Sequence, residues 1–217
     1  MNQTRDIVIV GGGVTGLCTA IHLKTLGAQK VTILERHHVG AGQSHRAAGI
    51  VRALVRHEMV ATALAESLAF IKNFEQQFGD RIAFHPTGYL LLCELDQMQI
   101  ARDAIAAAAS AGCQASVIDA HEAQEIQPGV RHDDATSYIY EPDAIYMDPM
   151  PALQALTRVA KQLGVDIIEG CRVGDILTEN DRVIGVETER GRFTAPKILI
   201  ATSTWGKAQL AGLGIDV

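Results

Sequence analysis

Apolar and polar positions over residues 6–35 follow the order strand, glycine-rich turn, helix and strand. The runs 6–10 and 31–34 are rich in Ile and Val, which is typical of buried parallel strands. Between them, apolar side chains recur at helical spacing up to Gly27, namely Leu17, Ala20, Ile21, Leu23 and Leu26. The pattern therefore predicts a βαβ unit near the start of the chain.

The remaining chain alternates between helical and strand patterns. Helices are predicted over residues 59–78, 96–111, 121–126 and 149–163. Strands are predicted over residues 82–84, 88–93, 117–118, 137–140, 165–168, 171–177, 182–188 and 197–201, with a turn at 179–181. Ser44 is a candidate cap for a further helix that begins near Arg46. The strand-rich middle of the chain predicts a small mixed α/β insertion.

Three glycines follow the first predicted strand with the spacing G-x-G-x-x-G. Gly11 permits a tight turn, Gly13 lets a pyrophosphate approach the backbone, and Gly16 lets the helix pack closely on the strand. The helix that starts here, with Val14 and Thr15 in its first turn, offers free N–H groups and a positive dipole end to phosphates. The segment is therefore a candidate phosphate-binding loop.

An acidic residue closes the unit. Glu35 follows the last glycine of the motif by about 20 residues, where a carboxylate can accept a hydrogen bond from a ribose hydroxyl. Its negative charge disfavours the 2′-phosphate of NADP. The complete order of strand, loop, helix, strand and acid predicts a dinucleotide-binding site.

Composition narrows the class of partner. The formal net charge of −6, with no basic stripe, disfavours nucleic acid. No apolar run reaches the roughly 18 residues that span a bilayer, and we expect neither a signal peptide nor a membrane segment. The cysteines show no metal-ligand spacing, so they predict reduced thiols in a cytoplasmic protein and no metal site: Cys18, Cys93, Cys113 and Cys171.

Four motifs, in order, carry a family resemblance: IVIVGGGVTG with Glu35-Arg36, GAGQS-x-R-x-x-G over residues 40–49, Glu141-Pro142-Asp143 with Met147-Asp148-Pro149, and ILIATSTW ending at Trp205. With them the chain resembles the N-terminal part of an FAD-dependent amine or amino-acid oxidoreductase of the D-amino-acid oxidase superfamily. The most similar branch contains sarcosine oxidase, glycine oxidase and dimethylglycine dehydrogenase.

The resemblance implies an α/β fold, namely a Rossmann-like FAD-binding domain of the GR2 type with an inserted, incomplete α+β substrate domain. The FAD-binding domain would comprise residues 1–78 and 145–217, and residues 79–144 would begin the substrate domain. Relatives continue beyond this point with the rest of the substrate sheet, so we expect a missing C-terminal half or a partner subunit.

The resemblance also implies a set of FAD-binding residues. Gly11, Gly13 and Gly16 would hold the pyrophosphate, with Glu35 and Arg36 at the adenosine ribose. The other expected contacts to phosphate, flavin or adenine are Val14, Thr15, Gly42, Ser44, His45, Arg46, Ala47, Ala48, Gly49, Val173, Ala201 and Thr202.

Two departures from the family pattern change these expectations. Some dehydrogenases of this branch bind flavin covalently through a histidine just before the A-A-G step, where this chain has Arg46. His45 lies one residue earlier, so we expect non-covalent FAD. Ser203 replaces a glycine of the family's A-x-G-x-W ending, which predicts that the loop approaches the cofactor less closely.

Other candidate side chains have competing explanations. Arg52 lies where sarcosine oxidase-like enzymes place an arginine near the substrate carboxylate, and a solvated arginine is the alternative. The histidines His37, His38, His45 and His57 are expected to be loop residues rather than metal ligands. Trp205 is expected in the core at a strand end.

The leading functional prediction is oxidation of the C–N bond of a small amine or amino acid, of the sarcosine, glycine or D-amino-acid type, by hydride transfer to FAD. One alternative is a non-catalytic or incomplete FAD-binding subunit that needs a second polypeptide. A less favoured alternative is an NAD-dependent dehydrogenase, which the motif over residues 36–49 disfavours.

Overall fold

A computed structural model of the protein describes residues 3–133 and 137–216. The outer ends of the predicted segments 1–78 and 145–217, and residues 134–136 of the predicted substrate domain, lie outside the described residues. The strands are β1 (Gln3–Thr4), β2 (Ile7–Val10), β3 (Val31–Leu34), β4 (Ile50–Val51), β5 (Tyr89–Cys93), β6 (Ser116–Ile118), β7 (Ser137–Glu141), β8 (Ile145–Tyr146), β9 (Asp166–Ile168), β10 (Val173–Glu179), β11 (Arg182–Thr188), β12 (Gly191–Thr194) and β13 (Ile198–Ile200). The helices are α1 (Val14–Thr25), α2 (Glu58–Lys72), α3 (Phe74–Phe78), α4 (Met98–Ser110), α5 (Ala120–Ile126), α6 (Pro149–Gln162) and α7 (Gly206–Ala211).

The chain folds into two compact units. The first unit comprises Met1–Ala47 with Pro149–Val217, and the second unit comprises Ala48–Asp148. The domain boundaries expected from the sequence, near residues 78 and 145, stay a prediction. The α/β fold class is confirmed, because a parallel sheet with intervening helices forms the first unit and an antiparallel sheet with helices forms the second.

A four-stranded parallel sheet in the order β13-β2-β3-β9 is the centre of the first unit. Its middle strands are buried on both faces, as the apolar runs in the sequence predicted. Helix α1 covers one face with Leu17, Ala20 and Ile21, which are fully buried. The predicted βαβ unit is therefore confirmed. Its register pairs Val10 with Leu34, so both strands end at the same edge of the sheet.

A second four-stranded sheet, in the order β1-β12-β11-β10, belongs to the same unit. Strands β10 and β11 form the predicted hairpin, and its turn places Asn180 and Asp181 at positive φ, 49° and 58°. Both residue types tolerate this conformation. Buried side chains from the two sheets of this unit share one core, which includes Val8, Val186 and Phe193.

The second unit contains a three-stranded antiparallel sheet in the order β5-β7-β6. Helix α4 presents Ala101 and Ala104 to a core that also contains Cys93 and Ile139. The small side chains of this alanine-rich helix allow it to pack close to the sheet. A separate pair, β4 with β8, joins the two ends of the unit and matches Ile50 with Tyr146.

Three local predictions were wrong. Residues 82–84 form no strand, and the nearest strand-like pairing is an isolated bridge between the next residue, His85, and Tyr146. The helix predicted over 59–78 is broken at Asn73, between α2 and α3. A 3-10 helix, Ser44–Arg46, replaces the helix expected near residue 46. Among the described helices, none combines the length and hydropathy needed to cross a membrane.

Candidate functional site

The turn after β2 requires glycine at Gly11. This residue has φ of +113°, and a Cβ there would lie 2.5 Å from the carbonyl oxygen of Ala201. The Gly11 N–H also donates to the Leu34 carbonyl at 2.9 Å. The chain therefore turns sharply between the ends of β13 and β3, and no side chain fits in that space.

Gly16 serves the packing of helix on strand. A Cβ at Gly16 would lie 2.0 Å from the Gly11 carbonyl oxygen and 3.4 Å from Ile9. Any larger residue would push α1 away from the end of β2. Because α1 stays close, its N-terminus is directed at the space beyond the strand ends, where a phosphate could receive its N–H groups.

The N-terminus of α1 is capped from a distant loop. Gly13, its cap residue, has no side chain, and the Val14 N–H instead donates to Ser44 Oγ at 2.9 Å. A Cβ at Gly13 would lie 2.8 Å from the same oxygen. The sequence-based prediction that Ser44 caps its own helix was therefore wrong, because the hydroxyl satisfies a donor of α1, 30 positions away.

The carboxylate of Glu35 is held in place by backbone donors. Glu35 follows β3 and is only 9% exposed. Its Oε2 accepts from the Gly12 N–H at 2.8 Å, and its Oε1 accepts from the His37 N–H at 2.9 Å. Each oxygen keeps a further lone pair, so the carboxylate can accept ribose hydroxyls without giving up these bonds.

A cavity of about 530 Å³ connects these features within the first unit. This volume lies in the range of small-molecule and cofactor sites. The predicted site residues that line it are Gly11, Gly13, Val14, Thr15, Glu35, Arg36, Gly42, Ser44, Ala47, Val173, Ala201 and Thr202. A helix N-terminus and a carboxylate that line one cavity fit the phosphate and ribose groups of a dinucleotide such as FAD.

Sequence reasoning missed several lining residues: Val10, Leu34, His37, Gln43, Cys171, Arg172, Gly174, Ser203, Trp205, Ala208 and Gln209. Most of them are adjacent in the chain to predicted residues. The same strand ends that bring the predicted residues to the cavity also bring these neighbours there, so the sequence pattern could have identified them. Trp205 was assigned to the core, and that was wrong. Its side chain is 39% exposed, and the Arg36 guanidinium lies over its ring with Cζ 4.6 Å from the centroid.

Ser203 has a backbone conformation that favours glycine. Its φ is 52°, in the left-handed region. Ser203 is one of the residues that line the cavity. How closely this loop approaches the cofactor stays a prediction.

Six predicted residues lie outside the cavity lining. In the first unit, Gly16 has the packing role described above, His45 pairs Nδ1 with the Gly40 carbonyl at 2.7 Å, and Arg46 ends the 3-10 helix. The other three, Ala48, Gly49 and Arg52, belong to the second unit. Gly49 has φ of +73°, and a Cβ there would lie 2.0 Å from the Met147 carbonyl oxygen.

Arg52 is fixed on two sides within the second unit. Its guanidinium donates to the Leu54 carbonyl, and its Cζ lies 4.9 Å from the centroid of the Tyr89 ring. The side chain is half-buried and follows β4 rather than lying on a helix. Stacking uses only the face of the guanidinium, so its remaining in-plane donors can form a bidentate pair with a carboxylate.

The cysteines are free thiols, and two of them have perturbed acidity. Burial raises the pKa of the Cys18 thiol to about 11. The pKa of Cys113 is raised by burial first and then by the charges of Glu141 and Asp143, against a lowering by Lys72. In the described part of the chain, no group of three His, Cys, Asp or Glu side chains is arranged to hold a metal ion.

Comparison with known proteins gives a family match across the chain. The family described as FAD dependent oxidoreductase (DAO) matches residues 6–217. A 4-methylaminobutanoate oxidase (formaldehyde-forming) from Paenarthrobacter nicotinovorans is 29% identical over 97% of this chain and 26% of that protein. The sarcosine oxidase subunit beta of Arthrobacter sp is 28% identical over 99% of this chain and 55% of that protein.

A solved structure agrees with this match. L-proline dehydrogenase from P. horikoshii superimposes with a TM-score of 0.91 at 26% identity, over 99% of this chain and 57% of that chain. The protein described here thus spans about half or less of the length of these relatives.

Proposed function

Because the chain belongs to the family of FAD-dependent oxidoreductases, for which FAD is the cofactor, we propose that it binds FAD non-covalently in the first-unit cavity and oxidises a small secondary amine that carries a carboxylate. FAD, when bound, would supply the acceptor for the hydride that leaves the substrate carbon, and the amine nitrogen would release its proton to solvent as the C–N bond becomes an imine. The residues of the chain bind and orient the cofactor and the substrate.

One observation carries the cofactor proposal. The cavity runs from the N-terminus of α1 to the backbone-anchored carboxylate of Glu35. A phosphate at the helix end and a ribose at Glu35 would be held by N–H donors and by carboxylate lone pairs. We assign the pyrophosphate to Gly11 and Gly13, the adenosine ribose to Glu35, and the adenine to the backbone of Val173.

The names of the relatives support the substrate class. The two relatives and the structural neighbour are named for 4-methylaminobutanoate, sarcosine and L-proline. Each of these compounds has a secondary amine and a carboxylate. A primary amino acid such as glycine is the nearest competitor, and the measurement described below separates the two.

Arg52 is the residue that we propose for the substrate carboxylate. It is anchored by the Leu54 carbonyl and the Tyr89 ring, which fixes the plane of its guanidinium. A fixed planar donor pair orients a carboxylate without a large loss of side-chain entropy on binding. Arg52→Lys should therefore raise KM for carboxylate-bearing substrates far more than it changes FAD affinity.

A second candidate function is an FAD-binding subunit whose catalytic site needs another polypeptide. The observation that favours it is the name of one relative, a subunit beta of a sarcosine oxidase. In that case the first unit would hold FAD, and amine oxidation would appear only with the partner subunit present.

The test starts with FAD binding to the purified chain, measured by calorimetry and by the visible spectrum. Glu35→Gln removes a charge and replaces one acceptor oxygen with a donor, so the affinity for FAD should fall roughly tenfold to a hundredfold. Glu179→Gln is the matched control, because this carboxylate is exposed and does not line the cavity. The affinity of this variant for FAD should equal that of the wild type.

Anaerobic bleaching of the bound flavin then identifies the substrate class. Sarcosine, 4-methylaminobutanoate and L-proline should bleach the flavin. Glycine, which has a primary amine, and the corresponding amines without a carboxylate should bleach it poorly. FAD binding without bleaching by any of these compounds would favour the subunit hypothesis. A chain that takes up no FAD would contradict the cofactor proposal itself.

A further inference from the structure

Arg36 and Trp205 meet at the cavity of the first unit. Arg36 directly follows Glu35 after β3, and Trp205 ends the 3-10 helix Ser203–Trp205 that follows β13. The Arg36 Cζ lies 4.6 Å from the centroid of the indole ring, well within the range of a cation–π interaction. Both side chains line the same cavity, so the pair forms part of its wall.

The guanidinium of Arg36 keeps its hydrogen-bonding capacity in this arrangement. Among residues 3–133 and 137–216, the ring of Trp205 is its one recorded partner, and no carboxylate or carbonyl receives its donors. Stacking engages the face of the guanidinium, whereas its five N–H groups lie in the plane. The donors therefore stay available for an anion inside the cavity.

Trp205 is held through its ring and through its backbone. A Cβ built on Gly42 would lie 3.6 Å from Cζ3 of Trp205, so the ring packs against the backbone of this glycine. The Trp205 N–H of the main chain donates to the Thr202 carbonyl at 3.1 Å. A ring fixed in this way can fix the direction of the cation that stacks on it.

We propose that Trp205 is a positioning residue that directs the Arg36 guanidinium at a phosphate oxygen of the bound dinucleotide. The proposal deepens the function proposed above and rests on FAD binding in this cavity. It differs from the ribose role expected for Arg36, because a planar cation with free in-plane donors matches a phosphate in charge and geometry. Glu35, which is anchored independently, keeps the ribose.

The test compares ligands with and without phosphates. Calorimetry should show that Trp205→Leu weakens FAD and ADP binding about twofold to fivefold and leaves adenosine binding unchanged. Trp205→Phe keeps an aromatic face, so its affinity for ADP should lie between those of the wild type and Trp205→Leu. In the Arg36→Met background, Trp205→Leu should cost nothing further for ADP, because the cation that it positions is already absent.

Fluorescence gives a second signature, since the chain contains a single tryptophan. Its emission should change when ADP saturates the wild type, and the change should be smaller in Arg36→Met. Trp205→Phe also covers the case in which Trp205→Leu does not fold, which thermal melting would reveal.

Equal losses for ADP and adenosine, no loss for ADP, or additive losses in the double variant would each overturn the positioning role. In all three cases FAD binding by the wild type would still stand. A wild type that binds neither FAD nor ADP would overturn both proposals.

Discussion

The buried carboxylate of Glu141 should stabilise the second unit by holding the chain that follows β4. Glu141 ends β7 and has no exposed surface. Its Oε1 accepts from the Ala53 N–H at 2.7 Å and its Oε2 accepts from the Leu54 N–H at 2.9 Å. These donors are themselves buried, so they have no solvent to replace the carboxylate.

The magnitude follows from the chemistry of the substitution. Glu141→Gln conserves the volume, so no cavity term arises. The amide oxygen can accept from one of the two N–H groups, and the amide NH₂ would face the other donor. Each hydrogen bond to a charged group contributes about 1.5–3 kcal/mol, and an orphaned buried donor adds its own desolvation cost. We expect the free energy of unfolding to fall by about 2–4 kcal/mol.

The assay must report on the second unit. Tryptophan fluorescence is unsuitable, because Trp205, the single tryptophan, lies in the first unit. Amide hydrogen exchange at Ala53 and Leu54 reports the loss locally, and urea unfolding followed by circular dichroism gives the free energy. Glu66→Gln on the exposed face of α2 is the control, and its effect should stay below about 0.5 kcal/mol. A Glu141→Gln variant with wild-type stability and unchanged exchange at both amides would refute the argument.

Two further predictions concern the first unit. Ser203→Gly should raise the free energy of unfolding by about 0.5 kcal/mol. Glycine relieves the strain at φ of 52°, and its greater conformational freedom in the unfolded chain offsets part of that gain. Ser203→Ala keeps the strain, and equal stabilities of the two variants in urea would contradict this reason. Burial raises the pKa of Cys18 above its ordinary 9.0 to about 11 in the folded protein. The unfolded chain therefore loses the thiol proton at lower pH than the folded protein does, and the free energy of unfolding should decline as the pH rises from 9 to 11. Cys18→Ala should reduce that decline in urea titrations, and an identical pH dependence in both proteins would contradict the assignment.

The glycine-rich turn and its flanking strands could be predicted from the sequence because their determinants are local. Gly11, Gly16 and the two apolar strands each follow from steric rules that act over a few residues. The parallel arrangement then brings Glu35 and the end of β13 to one edge of the sheet, which is why most predicted site residues line the cavity.

Contacts between distant residues could not be predicted in the same way. Ser44 caps α1 across 30 positions, Glu141 holds Ala53 and Leu54 across 88 and 87 positions, and Trp205 stacks on Arg36. No local sequence pattern identifies these partners, because in an extended chain each side chain could find a hydrogen-bonding or stacking partner in several other places. Residues 82–84 illustrate the converse, since an apolar run becomes a strand only when another strand is present to pair with it.

The sequence by itself determined the dinucleotide-binding unit, because the chirality of the chain and the freedom of glycine leave few ways to connect a strand to a helix over a phosphate. Only the tertiary structure decided which loop caps that helix, what holds Glu35 and that Trp205 stacks on Arg36. Those choices depend on which polar groups lose their water on folding and on which partner lies within hydrogen-bonding distance when they do.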